Sequence, residues 1–150
     1  MNKIILLFLA LLTINNCGYN PILANKTYDF NLENINADKE SKINSILKNY
    51  LYEKNAEKSD KKYNLTFSTK FDKEIVSSNE KGDPVNFKIK IAVNYLLDQD
   101  GKKLLKNRIN KEINYNNIDD KYELLKYEEN ILNNLIKNIA DEILFSITSS

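Results

Sequence analysis

The chain has 150 residues, which is enough for one domain but not for two sizeable ones. Its 22 basic and 21 acidic side chains leave a net charge of +1, and this near-balance excludes a strongly cationic nucleic-acid binder. The absence of histidine excludes the Ser-His-Asp and Cys-His catalytic arrangements and most zinc sites, and a single cysteine excludes an internal disulfide.

The first segment, residues 1–16, has the order of a bacterial export signal. Lys3 precedes an unbroken apolar run over residues 4–12, which is too short to span a bilayer as a helix. The only cysteine, Cys17, follows it. This order resembles a lipoprotein signal, in which the cysteine is lipidated and becomes the first residue of the mature chain; the alternative is a free thiol after an ordinary signal peptide. We therefore expect a lipoprotein signal peptide over 1–16, lipidation at Cys17 and a lipidated tether over 17–26.

The expected domain, residues 27–150, opens with a strand and a helix. Residues 27–33 alternate, with Tyr28, Phe30 and Leu32 on one face, which predicts a short strand. A helical spacing of apolar residues follows, and Asn36 or Asp38 can cap its start. The stripe of this predicted amphipathic helix consists of Ile43, Ile46, Leu47, Tyr50 and Leu51.

Three strands are predicted next, and the last two form a hairpin. Residues 63–71 alternate, residues 77–84 have the composition of a loop, and residues 85–97 give the clearest alternation in the chain. After the turn at 98–101, the apolar face continues to about residue 116. Opposed residues must share a face, and a three-residue loop at Gln99–Asp100–Gly101 satisfies this rule. The resulting register pairs Tyr95 with Leu105, Ile91 with Ile109 and Phe87 with Ile113.

A helical pattern returns at Asp120, which with Glu123 can form a capping box, and a helix is predicted over 121–147. The element order is β-α-β-β-β-α. Because each helix has one apolar stripe and the strands one apolar face, we predict an α+β fold: a two-layer sandwich with two helices packed on one face of a four-stranded mixed sheet. The predicted core contains Phe67, Phe87, Ile89, Ile91, Val93, Ile109, Ile113, Ile46, Leu47, Leu132, Leu135, Ile136 and Ile139.

The distribution of polar residues argues against an enzyme. The adjacent carboxylates at 119–120 and 128–129 lie at or near a helix start, where capping and solvation explain them. Asp98, Asp100 and Gly101 fit a tight hairpin better than a calcium loop. Gly82 and Gly101 are isolated, so they do not form a phosphate-binding loop. We expect no catalytic residues, no metal and no cofactor.

The segment Cys17-Gly18-Tyr19-Asn20-Pro21-Ile22-Leu23 resembles the start of the mature lipopolysaccharide-assembly lipoproteins of the LptE family, in their alphaproteobacterial form. The Tyr-x-Leu strand at 63–65, the central strand ending at 95–98 before a glycine turn, and the long final helix agree with it. The resemblance implies an outer-membrane lipoprotein that faces the periplasm. In that family the lipoprotein plugs the barrel protein LptD, assists its folding and contacts lipopolysaccharide.

The same alternation predicts a ligand-binding surface on the sheet face opposite the core. Five cations share that face in the predicted register, and Arg108, the chain's single arginine, ranks first among them because codon bias explains the abundance of lysine but not this residue. They are Arg108, Lys88, Lys90, Lys106 and Lys70. The register sets Lys88 against Glu112 and Ala92 against Arg108, with little other acid. The alternatives for this face are a solvated surface and a surface that lies against a barrel wall.

The alternative for the function is a standalone periplasm-facing lipid-binding or membrane-integrity lipoprotein without a barrel partner.

Overall fold

The structure is a computed structural model that describes residues 28–55 and 59–149. The expected signal peptide over 1–16, the lipidation site Cys17 and the tether over 17–26 lie outside these residues. The described part contains four strands and two helices in the predicted order. They are β1 (Asn31–Ala37), α1 (Lys42–Glu53), β2 (Lys62–Ser78), β3 (Pro84–Gln99), β4 (Lys102–Asn116) and α2 (Lys121–Thr148).

The four strands form one mixed sheet in the order β1-β2-β3-β4. β1 runs parallel to β2 because α1 connects them as a crossover, whereas β2, β3 and β4 are antiparallel neighbours joined by short turns. Both helices contact the sheet, and their apolar stripes join the buried strand residues in one core. The predicted two-layer α+β sandwich is confirmed.

β1 begins later than predicted, at Asn31, and an irregularity interrupts its alternation. Tyr28 and Phe30 are buried ahead of the strand, and the register shifts between Leu32 and Asn34, so that Leu32 and Ile35 are both buried although three residues apart. The side chain of Asn55 satisfies the backbone here. It accepts a hydrogen bond from Leu32 N–H (2.7 Å) and donates one to the Leu32 carbonyl (3.0 Å).

The start of α1 is capped by Ser41, so the prediction of Asn36 or Asp38 as the cap is wrong. Ser41 Oγ accepts a hydrogen bond from Asn44 N–H at 3.1 Å. Asn36 is instead the penultimate residue of β1. The residues between Ala37 and Lys42 connect the sheet to the helix layer, so the helix begins later than Asn36 or Asp38 would allow. The predicted stripe of α1 faces the core, with Leu47 and Leu51 fully buried.

The register of the β3–β4 hairpin is displaced by two residues from the predicted one. The observed pairs include Leu97 with Leu105, Val93 with Ile109 and Ile89 with Ile113. Gln99 pairs with Lys102, so the loop has two residues, Asp100 and Gly101, both with positive φ. A bulge at Leu104 adds one unpaired residue on β4 and brings the total displacement to two. Because the displacement is even, every residue keeps its face of the sheet and changes only its cross-strand partner.

β2 continues to Ser78, so the loop predicted over 77–84 is confined to residues 79–83. The prediction that Asp120 caps the start of α2 is confirmed. Asp120 accepts hydrogen bonds from Tyr122 N–H at 2.8 Å and Glu123 N–H at 3.0 Å. β2, β3 and α2 are thus all long, and they extend well past the end of β1.

Nine of the predicted core residues are buried, three lie at the margin of the core, and Ile113 is exposed. Tyr115 makes the contact with α2 at this end of β4 in place of Ile113. Its ring stacks on Phe87, and its hydroxyl donates a hydrogen bond to Glu128 (2.7 Å), which also binds Lys73 (2.6 Å). Burial, together with the bond to Glu128, raises the pKa of the Tyr115 hydroxyl. The buried set is Phe67, Ile89, Ile91, Val93, Ile109, Leu47, Leu135, Ile136 and Ile139, with Phe87, Ile46 and Leu132 at the margin.

Truncation of Ile91 or Leu135 to alanine tests this core. Both side chains are buried at the contact of sheet and helix, so each variant is expected to lower the free energy of unfolding by about 2–5 kcal/mol. Urea unfolding followed by circular dichroism measures the change, and Leu125→Ala, at an exposed position of α2, serves as the control. Equal stability of all three variants would place the core elsewhere.

Candidate functional site

The sheet face opposite the helices is uncovered, and its side chains follow from strand alternation. Three cross-strand rows cross its centre, each with one residue from β2, β3 and β4. The rows are Ser68–Asn94–Arg108, Lys70–Ala92–Asn110 and Asp72–Lys90–Glu112. We call this surface, which also includes Glu74, Lys88, Leu96 and Lys106, the open face.

A depression of about 480 Å³ lies at the centre of the open face. Ala92 lies in the middle row, where its methyl group leaves space that the longer neighbouring side chains surround. Three of the five predicted ligand cations line it, namely Lys70, Lys90 and Arg108. The acidic and amide side chains of the same rows complete the rim: Asp72, Glu112 and Asn110.

The other two predicted cations lie away from this depression. Lys88 is one row beyond Lys90, next to Glu74. Lys106 lies toward the β3–β4 turn and lines a separate, smaller depression of about 200 Å³ together with Leu96 and Asn94. The structure therefore places all five cations on the predicted face but gathers only three of them around one cavity.

The open face carries more acid than predicted, which corrects the expectation of a basic surface with little acid besides Glu112. Asp72 and Glu74 project from β2 onto it. Glu74 binds Lys90 at 2.7 Å and lies 3.8 Å from Lys88, and Asp72 binds Lys70 at 3.3 Å. The expected partners are also corrected: Glu112 pairs with Lys90 and not with Lys88, and Arg108 pairs with Asn94 and not with Ala92.

The ion pair between Lys90 and Glu74 shifts the pKa of both groups. The hydrogen bond from Lys90 lowers the pKa of the Glu74 carboxyl, and the same bond raises the pKa of the Lys90 ammonium. Because the folded-state pKa of Glu74 is lowered, the pair's contribution is present above the ordinary carboxyl pKa. It is lost as the pH falls through the lowered value. Both groups are exposed to solvent, so an anionic ligand can compete for Lys90 at little cost.

Arg108 differs from the lysines around the depression. Its Nε donates a hydrogen bond to the neutral amide of Asn110 (3.1 Å), and within residues 28–55 and 59–149 it forms no ion pair. Its guanidinium charge is therefore not compensated by a bound carboxylate, and its planar fork suits phosphate or carboxylate oxygens. The arrangement can bind an anion through Arg108, assisted by Lys70 and Lys90.

Sequence reasoning missed the acidic half of this surface. Asp72 and Glu74 were missed because the predicted strand stopped at residue 71, before the alternation that continues through Lys70, Asp72 and Glu74. Extending that alternation to Ser78 would have placed both carboxylates on the open face. Ala92 carried a weaker signal, as a small residue among charged ones.

Two further observations concern the described residues as a whole. No group of three histidine, cysteine, aspartate or glutamate side chains among them is placed to hold a metal ion. Neither helix in this part of the chain is long and apolar enough to cross a membrane.

Comparison with known proteins finds similar structures but no similar sequence. No protein-family model matches the chain, and no curated protein matches its sequence. Rare lipoprotein B from Shewanella oneidensis superposes with a TM-score of 0.59 at 14% identity, covering 77% of this chain and 92% of that one. Lipoprotein B from Nitrosomonas europaea gives 0.57 at 18% identity, covering 83% and 88%.

A minor lipoprotein from Acinetobacter baumannii gives a TM-score of 0.53 at 14% identity, covering 83% of this chain and 95% of that one. The match spans nearly the whole of each of these proteins, and at such identities it establishes a shared fold. The fold that the resemblance in the sequence implied is thus confirmed.

Proposed function

We propose that this chain is an outer-membrane lipoprotein of the LptE kind. In this role it is anchored through lipids on Cys17 and faces the periplasm. It assists the assembly of an LptD-like lipopolysaccharide-export barrel, plugs that barrel, and contacts lipopolysaccharide during its delivery to the cell surface. The observation that carries the proposal is the shared fold with proteins described as rare, minor or B-type lipoproteins, in a chain whose only cysteine follows a short apolar segment.

Anchoring at Cys17 rests on the chemistry of the N-terminal segment. The apolar run over residues 4–12 ends shortly before the cysteine, and the domain that follows has a nearly neutral charge. One acyl chain binds a membrane only marginally, whereas a cysteine that carries several chains is held firmly, at ~0.8 kcal/mol per buried methylene. The lipid anchor thus supplies the membrane attachment, and the domain need not insert.

The open face supports contact with lipopolysaccharide. Lipopolysaccharide presents phosphates and carboxylates, and Arg108, Lys70 and Lys90 surround a depression of suitable chemistry. Lys70 and Lys90 are already bound to carboxylates of the same face, which leaves Arg108 as the principal anion contact. Because the ion pairs are exposed, the interaction weakens as the salt concentration rises.

Affinity purification of the full-length protein from detergent-solubilised envelopes tests this function. A stoichiometric large β-barrel protein is expected to copurify, and intact mass is expected to show an acylated Cys17 as the first residue. Cys17→Ser should leave the protein unprocessed or released from the outer membrane. Recovery without any barrel protein would favour the standalone lipid-binding lipoprotein, and an unmodified Cys17 in envelope-derived protein would exclude the anchor.

Arg108→Glu tests the ligand contact. Loss of a charge-assisted hydrogen bond and introduction of a repelling charge are expected to weaken binding of purified lipopolysaccharide by about tenfold or more. The melting temperature should stay nearly unchanged, since Arg108 is exposed. Lys126→Glu, at an exposed position of α2, changes the net charge equally and should bind as the parent does. If Arg108→Glu bound lipopolysaccharide as tightly as Lys126→Glu does, the open face would be a solvated surface and not a binding site.

A further inference from the structure

The second half of β2 has a free edge in the described part of the chain. β1 pairs with β2 only as far as Ala37 and Phe67, whereas β2 continues to Ser78. Asp38 N–H donates to the Phe67 carbonyl at 3.0 Å, which shows that odd-numbered residues of β2 point their backbone groups to this side. The N–H and C=O groups of Phe71, Lys73 and Ile75 therefore face the free edge, and those of the residues between them pair with β3.

Exposed apolar side chains lie beside this edge, on the helix side of the sheet. Phe71 is 42% exposed and Ile75 is 56% exposed, because α1 reaches only as far as Thr69, whose hydroxyl donates to Asn44 Oδ1 at 2.5 Å. Lys73, between them, binds Glu128 of α2. Phe71 and Ile75 flank Lys73 on the same face of β2. We call Phe71 and Ile75 the apolar shelf.

We propose that the free edge of β2 and the apolar shelf together bind an extended segment of a partner protein, added as a fifth strand, with apolar side chains at alternate positions of that segment. A strand placed beside β2 would form hydrogen bonds with the free N–H and C=O groups, and every second side chain of that strand would pack on the apolar shelf. β1 makes the same arrangement along the first half of β2, where Leu32 and Ile35 lie buried on the helix side.

Two other occupants fit this edge less well. Tyr28 packs near Phe30 and Tyr63, at the opposite end of β2, which is about 40 Å from Ile75 at ~3.3 Å per residue. A fully extended tether over 17–26 would span at most about 36 Å, which is less than this distance, so it is too short to cover the edge as far as Ile75. A second copy centred on Lys73 sets Asp72 opposite Glu74, which places like charges in contact. A copy centred on Phe71 would set Ile75 opposite Phe67, whose carbonyl already accepts a hydrogen bond from Asp38.

The edge is tested by residue-resolved amide hydrogen exchange. We compare the purified full chain with the same protein in the assembly recovered from detergent-solubilised envelopes. In the purified protein the amides of Phe71, Lys73 and Ile75 should exchange fast, and those of Lys70, Asp72 and Glu74 slowly. In the assembly the first set should slow by about tenfold or more, because the partner strand accepts their hydrogen bonds.

Phe71→Lys and Ile75→Lys test the shelf. Each places a charge where the partner's apolar side chains lie and should restore fast exchange at the edge amides in envelope-derived protein. Leu104→Lys is the matched control: Leu104 is 43% exposed and lies on β4, the other edge strand of the sheet. Circular dichroism checks that all three variants fold.

The result that overturns the inference is fast exchange of the edge amides in the assembly, or slow exchange that neither shelf variant affects. Slow exchange that accompanies a dimer of the purified chain, lost in Phe71→Lys, would assign the edge to a second copy and overturn it too. The inference rests on the proposed function only for the source of the assembly. A copurifying barrel with an unprotected edge refutes the strand alone, and a protected edge without a barrel refutes the barrel partnership alone.

Discussion

The burial of one face of the sheet beneath two helices is the constraint on which the rest of this structure depends. Strand alternation sends Ile89, Ile91 and Val93 into a shared core with the stripes of α1 and α2. The same alternation must send Lys88, Lys90 and Asn94 to the other side. With both helices on one side, no described element covers the second face, and its polar side chains determine what it can bind.

Much of this arrangement was predictable because it depends on periodicity. The apolar period separates helices from strands, and a two-residue displacement of the hairpin leaves the faces unchanged, so the helical layer and the open face could be assigned from residues alone. Cross-strand partners could not be assigned, since they depend on where a bulge lies. The bulge leaves Leu104 exposed. Together with the two-residue loop, it shifts the strand pairing so that Arg108 lies beside Asn94 and Lys90 beside Glu112.

The electrostatic character of the open face depends on a part of β2, residues 72–74, that lies beyond the end of the predicted strand. Asp72 and Glu74 bind Lys70 and Lys90, which changes a predicted cationic patch into a mixed surface; of the three predicted cations around its central depression, Arg108 alone forms no ion pair with a described residue. Such a surface selects a ligand by where its anionic groups lie more than by its net charge. The same long β2 that supplies these carboxylates also extends past β1, so its charged face and its free edge have a common structural origin.

Whether the open face is the binding surface of the protein in the envelope can be tested with one introduced thiol. Cys17 is the only cysteine, and its sulfur is acylated in the proposed mature protein, so Ala92→Cys adds a single reactive thiol in the middle of the depression. Maleimide should label it readily in the purified protein and about tenfold or more slowly in intact outer membranes, with full labelling restored by denaturation. Equal labelling rates in the purified protein and the membrane would contradict the account.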